Sequence, residues 1–134
     1  MKLGKEIKEK IEAEYKQWMD TQYAGKSLKE RQKLGAFFTP PELAIKMIEK
    51  FDNLEGDILD PCCGSGNLLA ACVIAGANPT NLYGNEIDPE LLKVCKNRLE
   101  KLGIPESHIK QGDATKTDVW FKTLNRSRRH QGIY

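Results

Sequence analysis

The sequence predicts an α/β fold, a doubly wound parallel sheet of Rossmann type preceded by an N-terminal helical segment, and three observations predict it. The short apolar run Asp57-Ile58-Leu59-Asp60 ends on an acid and passes at once into the turn Cys62-Cys63-Gly64-Ser65-Gly66, which opens a helix at Asn67. Gly64 and Gly66 remove the Cβ atoms that would keep a ligand from the backbone of that turn. A second such run, Asn81 to Glu86, leads into Asp88-Pro89, an acid N-cap with proline at the first helical position. A third, His108 to Gln111, meets Gly112-Asp113-Ala114. Strands alternating with helices in the order β-α-β-α-β imply right-handed crossovers and parallel pairing.

The elements follow in order. Over residues 2 to about 24, Leu3, Ile7, Ile11, Tyr15 and Trp18 recur at helical spacing among Lys and Glu, the pattern of a packing or partner-binding helix. Gly25 to Gly35 is basic and polar and reads as a connector. Thr39-Pro40-Pro41-Glu42 has the form of a capping box with Thr39 at the N-cap, starting a helix through Leu43, Ala44, Met47 and Ile48 to about Phe51. Asp57–Asp60 is a buried strand, and the helix from Asn67 to Ala75 is closed by Gly76. The helix after Asp88 runs to about Leu102 and turns Leu91, Leu92, Val94, Cys95 and Leu99 inward, with Gly103 at its end. Residues 1–35 are expected to form the helical segment and connector, and 36–134 a partial ligand-binding domain with its first three strands.

Composition narrows the class. At 134 residues the chain fits one domain. Its 21 basic and 19 acidic side chains leave a net charge of +2, so the overall field gives no reason to infer nucleic-acid binding. Cys62, Cys63, Cys72 and Cys95 form no C-x-x-C pair and sit in apolar segments, which favours free thiols in a reducing compartment over zinc ligands. The N-terminus has no apolar h-region, and no stretch approaches the ~20 apolar residues of a membrane span. A soluble cytoplasmic protein is expected.

Three acids, Asp60, Glu86 and Asp113, stand just past the carboxyl ends of successive strands, the edge of an open parallel sheet where ligands bind. Each alone can be read as a turn or helix cap. Together at one edge they point to a site. Glu86 follows the glycine turn by about twenty residues, the place of an acid that accepts hydrogen bonds from ribose hydroxyls. A dinucleotide fingerprint would have a third glycine where Leu69 stands, and no Gly-Lys-Ser/Thr follows for a P-loop. An acid directly ahead of the turn repels phosphate and suits an ammonium or sulfonium. The cofactor so described is S-adenosylmethionine.

Asp60-Pro61-Cys62-Cys63-Gly64-Ser65-Gly66 resembles the D-P-x-x-G-S-G motif I of DNA adenine-N6 methyltransferases, and other landmarks agree. Leu34-Gly35-Ala36-Phe37-Phe38-Thr39-Pro40 resembles motif X, Asn85-Glu86-Ile87-Asp88 motif II, and Gly112-Asp113-Ala114 motif III, a likeness covering residues 31 to 115. The modification subunits of type I restriction systems are of this kind. The resemblance implies a Rossmann-like methyltransferase fold with its S-adenosyl-L-methionine site at these motifs. Phe38 and Thr39 would border the methionine part, and Asp60, Cys62, Gly64, Ser65, Gly66 and Asn67 would form its amino-acid end. Glu86 would hold the ribose, Ile87 would pack on the adenine, and Asp113 with Ala114 would address its amine and ring. Thr39 also has a reading as a cap, Phe37 and Phe38 as core, and His108 as a packing residue.

The sequence departs from the family at its carboxyl end. Methylating the exocyclic amine takes a flipped base into a pocket with polar acceptors and a stacking ring, roles that fall in this family to an N/D-P-P-Y/F/W tetrapeptide. The sequence contains none, since its single Pro-Pro lies between Thr39 and Glu42. The expectation is a donor-binding portion, inactive alone, to which DNA comes through a complete enzyme or a partner subunit. No catalytic residue is assigned. Because the first strand would lack its usual neighbour, self-association or a partner chain completing the sheet is expected. The basic run Arg126, Arg128, Arg129 and His130 is a candidate phosphate contact, with a solvated tail as the plainer alternative. A non-catalytic assembly module pairing through the Leu3–Trp18 helix, and a methyltransferase for another substrate, are the rival readings.

Overall fold

The computed structural model describes residues 1–30, 39–116 and 130–132. Its principal elements are α1 (Lys5–Tyr23), α2 (Pro41–Glu49), β1 (Asp57–Asp60), α3 (Asn67–Ile74), β2 (Leu82–Glu86), α4 (Pro89–Lys101), β3 (Ile109–Gln111) and β4 (His130–Gly132). All pairings are parallel, in the order β3-β2-β1-β4. The crossovers through α3 and α4 step the same way along the sheet, so right-handedness puts both helices on one face. Period-2 alternation turns Ile58, Leu82 and Ile109 to that face, where they join Ile48, Leu69, Cys72, Cys95 and Leu99 in the core. On the other face Leu59 pairs in register with Tyr83, whose ring stacks on His108 at 4.3 Å between centroids.

The expected strand–turn–helix units are present, and three details differ. First, β1 is not left unpaired on its outer side: Asp57, Ile58 and Leu59 are in register with His130, Gln131 and Gly132. The chain supplies its own fourth strand, which removes the ground on which self-association was expected. It also places the backbone of His130 in a strand, while Arg126, Arg128 and Arg129 lie outside the described residues. Second, the N-cap of α2 is Pro40, extended at φ −63° and ψ 150°, with no side-chain cap bond. A residue that precedes proline is kept out of the helical region, so Pro40 before Pro41 cannot be the first helical residue and the start moves on by one.

Third, a capping box does occur, at Ser27 and Glu30: Glu30 N donates to Ser27 Oγ at 3.2 Å, and Ser27 N and Oγ donate to Glu30 Oε1 at 3.4 and 3.0 Å. A helical turn begins there at residue 28, inside the expected connector. Along α1 and the residue that leads into it, the apolar stripe packs on the chain's own core, the first of the two readings its spacing allowed. Leu3 and Ile11 belong to the core, Ile7 packs against it, and Leu3 N donates to Glu49 Oε2 at 2.9 Å. Tyr15 and Trp18, further along the stripe, are half-buried. Among the described residues no helix is long and apolar enough to cross a membrane.

Candidate functional site

The glycine turn grows directly out of β1. Cys63 N donates to Asn85 O at 2.9 Å, and Gly66 N returns to Cys63 O at 2.7 Å, which folds the segment over the end of the strand. Both glycines have positive φ, 52° at Gly64 and 88° at Gly66. A Cβ on Gly66 would stand 3.0 Å from Leu99 Cγ and Cδ2, so the residue is required on two counts. On β2 the glycine serves packing instead: a Cβ on Gly84 would meet Cys63 Sγ and Leu69 Cδ1, each at 3.0 Å.

Glu86 is held by a backbone amide on each of its carboxylate oxygens. Its Oε1 accepts from Gly64 N at 3.0 Å and its Oε2 from Asp88 N at 2.8 Å. The carboxylate therefore bridges the motif I turn and the start of α4, with further acceptor capacity on each oxygen. Asp60 is 3 % exposed and accepts from Cys62 N at 3.1 Å. Burial pushes its carboxyl up to about 7 against the pull of the Cys62 amide, and the charge of Glu86 adds to the rise. Asp113, half-buried, accepts from Thr115 N at 2.9 Å and Thr115 Oγ1 at 2.6 Å, and these bonds hold its carboxyl below the usual range.

The three acids converge. The exposed Cys62 thiol is raised by burial and then by the charges of Asp60, Glu86 and Asp113 in turn, so all three lie within electrostatic reach of one side chain. So raised, the thiol is disfavoured as the thiolate that a nucleophile requires. Ile87, 61 % exposed, is an apolar shelf just past Glu86. Ala114 is half-buried beside Asp113. Ser65 is buried with its Oγ unpartnered among the described residues, and the Asn67 side chain is engaged with Thr39 O, to which Nδ2 donates at 2.8 Å. Phe37 and Phe38 lie outside the described residues.

Two residues beside the turn were given no role by the sequence reading. Asn85, 2 % exposed, donates through Nδ2 to Pro61 O at 3.2 Å and Gly112 O at 2.9 Å, so the middle strand ties the loops after β1 and β3 together. Its place beside Glu86 in motif II was the one available signal. Arg98, 5 % exposed, carries its guanidinium from α4 to the motif I turn. It sits one residue before Leu99 on the inward face, where a charge reads from sequence as a surface position.

The Asp60 shift makes a prediction with a definite sign. Its folded-state carboxyl titrates near 7, above the ordinary 3.8 of an unfolded chain. The stability it contributes is fully present below 3.8 and is lost as pH rises to about 7, because between these values the unfolded state releases a proton that the folded state keeps. Urea denaturation from pH 4 to 8 should show a decline that Asp60→Asn flattens. A ligand cation beside Asp60 draws out the same proton, so cationic ligands should bind more tightly at pH 8 than at pH 6, again only with Asp60 present. Parallel pH profiles of wild type and variant would refute the assignment.

Comparisons with known proteins bear on the family and the fold. The family model described as N-6 DNA Methylase matches residues 12–127. The chain is 40 % identical over 86 residues to the type II methyltransferase M.VspI of Vibrio sp. (strain 343), covering 62 % of this chain and 21 % of that protein. It is 33 % identical over 82 residues to a tRNA (guanine(10)-N2)-dimethyltransferase of Pyrococcus abyssi, 61 % of this chain and 24 % of that one. The chain thus spans between a fifth and a quarter of the length of these two relatives. A crystal structure of an RNA methyltransferase from Salinibacter ruber in complex with S-adenosyl-L-homocysteine superposes with a TM-score of 0.51 over 71 % of this chain and 59 % of that one, at 22 % identity, and shares its fold. With the family model matched over most of its length and the glycine turn set between three strand-end acids, the chain belongs to the N-6 DNA methylase family.

Proposed function

We propose that this chain supplies the S-adenosyl-L-methionine-binding portion of an enzyme that methylates the exocyclic amine of adenine in DNA. The observation that carries the reading is Glu86 bound to the Gly64 amide: it sets a ribose-holding acid against a turn that admits a ligand to the backbone. The surrounding residues fit the same ligand. Asp60, its carboxyl pushed up to about 7 by burial, can release its proton against a cationic amino-acid end and so need not hold a full buried charge beforehand. Glu86 accepts from the ribose hydroxyls, Ile87 offers an apolar face to the adenine, and Asp113 with Ala114 addresses its edge. Thr39 borders the methionine part, and Cys62, Gly64, Ser65, Gly66 and Asn67 form its turn; Phe38, which the family resemblance sets beside Thr39, lies outside the described residues. When bound, the cofactor supplies an electrophilic methyl group on a sulfonium.

The residues that would receive the base are a separate matter. The sequence has no N/D-P-P-Y/F/W tetrapeptide, so the chain is proposed to bind the donor without transferring the methyl group by itself. DNA then reaches the site through the complete enzyme or a partner subunit. Titration calorimetry with S-adenosylmethionine, paired with transfer of tritiated methyl to adenine-containing duplex DNA, tests both parts. Binding without transfer is expected, and absence of heat at millimolar ligand would overturn cofactor use. A second reading, another acceptor, is favoured by the likeness to the tRNA dimethyltransferase. Labelling of RNA but not DNA by the complete enzyme would decide for it.

A further inference from the structure

Arg98 is held on three sides. Its Nε donates to Glu14 Oε1 at 3.0 Å and its Nη2 to Glu14 Oε2 at 2.6 Å, a two-bond fork reaching from α4 to α1. The guanidinium carbon lies 4.1 Å from the centroid of the Trp18 ring, also on α1. Its remaining nitrogen, Nη1, donates to Ser65 O at 3.4 Å and to Asn67 Oδ1, both at the motif I turn. The side chain is only 3 % exposed. Burying such a pair costs desolvation that its own attraction barely offsets, so net stability is a poor account of its presence. Geometry is the better one. With the amide oxygen of Asn67 on the guanidinium, its Nδ2 is left facing Thr39 O, 2.8 Å away. A continuous path, Glu14 to Arg98 to Asn67 to Thr39, therefore joins α1, the start of α3 and the segment entering α2.

We infer that Arg98 is a positioning residue of the donor site, fixing the orientation of Asn67 and through it the spacing between the motif I turn and Thr39. The inference rests on the functional reading above. It makes α1 part of the cofactor-binding unit, although none of that helix is assigned to touch the ligand. Lysine cannot replace the guanidinium, because one ammonium cannot keep parallel bonds to Glu14, the stack on Trp18 and the bond to Asn67 together.

The test compares two ligands, S-adenosylhomocysteine and 5′-methylthioadenosine, which lacks the amino-acid part. Arg98→Gln should weaken the first about tenfold, the factor for losing one charge-assisted hydrogen bond's worth of preorganisation, and leave the second unchanged. Asn67→Val should do the same, and Arg98→Lys should move the ratio in the same direction even if Arg98→Gln does not fold. A fall in melting temperature with an unchanged ratio of the two affinities would reduce Arg98 to a structural residue and overturn the inference alone. Wild type that binds neither ligand would overturn the donor-site reading, and the inference with it.

Discussion

Replacing Glu86 with alanine is expected to weaken S-adenosylhomocysteine binding at least about a hundredfold, roughly 2.7 kcal/mol, the scale of losing a charged acceptor for two hydroxyls. The same change removes the partner of two backbone amides, Gly64 N and Asp88 N, so a stability loss of about 2 kcal/mol should accompany it. The two effects separate by measurement. Calorimetry well below the melting temperature reports the affinity, and urea denaturation reports the stability. Glu86→Gln should fall between wild type and alanine, because an amide offers one acceptor oxygen where the turn and the helix start each require one. Unchanged affinity in a folded Glu86→Ala variant would refute the ribose assignment outright.

The largest effect on stability is expected at Gly66. An alanine there adopts a left-handed conformation at φ +88° and puts its Cβ 3.0 Å from the branching carbon of Leu99, which cannot swing away as a chain end can. The conformational cost is about 1–2 kcal/mol and the overpacking about as much again, together roughly 3 kcal/mol, or on the order of 10 °C in melting temperature for a domain of this size. Gly25 is the control. Its φ is +72° and nothing lies within 4 Å of the place a Cβ would take, so Gly25→Ala should cost about 1 kcal/mol through backbone strain alone. Equal losses at the two sites would show that the Leu99 contact carries nothing.

What could be read from the residues was what has a local cause. Asp88 was legible as an N-cap because the cap and its recipients are neighbours, and the structure has Asp88 Oδ1 accepting from Glu90 N and Leu91 N. The strand-end acids were legible because a strand that stops on an acid before a glycine turn is a short-range pattern. Thr39 shows how such a pattern misleads: the box was spelled correctly, but Pro40 followed by Pro41 cannot turn helical, so the cap passed to Pro40. Ser27 and Glu30 spell the same box in a stretch so basic that it read as a linker.

Arg98 and Asn85 were opaque for a different reason. Their roles are defined by Glu14 and by carbonyls of loops far away in the chain, and no periodicity in α4 or β2 marks a polar residue that packs inward. The fourth strand was opaque too. His130-Gln131-Gly132 has neither apolar alternation nor β-branched residues, and only its pairing with β1 makes it a strand.

That pairing has a kinetic consequence. β1 joins β2, and β2 joins β3, through a crossover helix, whereas β4 must return from residue 130 to residue 57, closing a loop that encloses the whole three-stranded unit. Loop-closure entropy is met before those contacts repay it, which puts β4 at the end of the folding order. For as long as it is undocked, the Ile58–Leu59 edge is a template for any passing strand, and the interval before closure is when the chain is most exposed to aggregation.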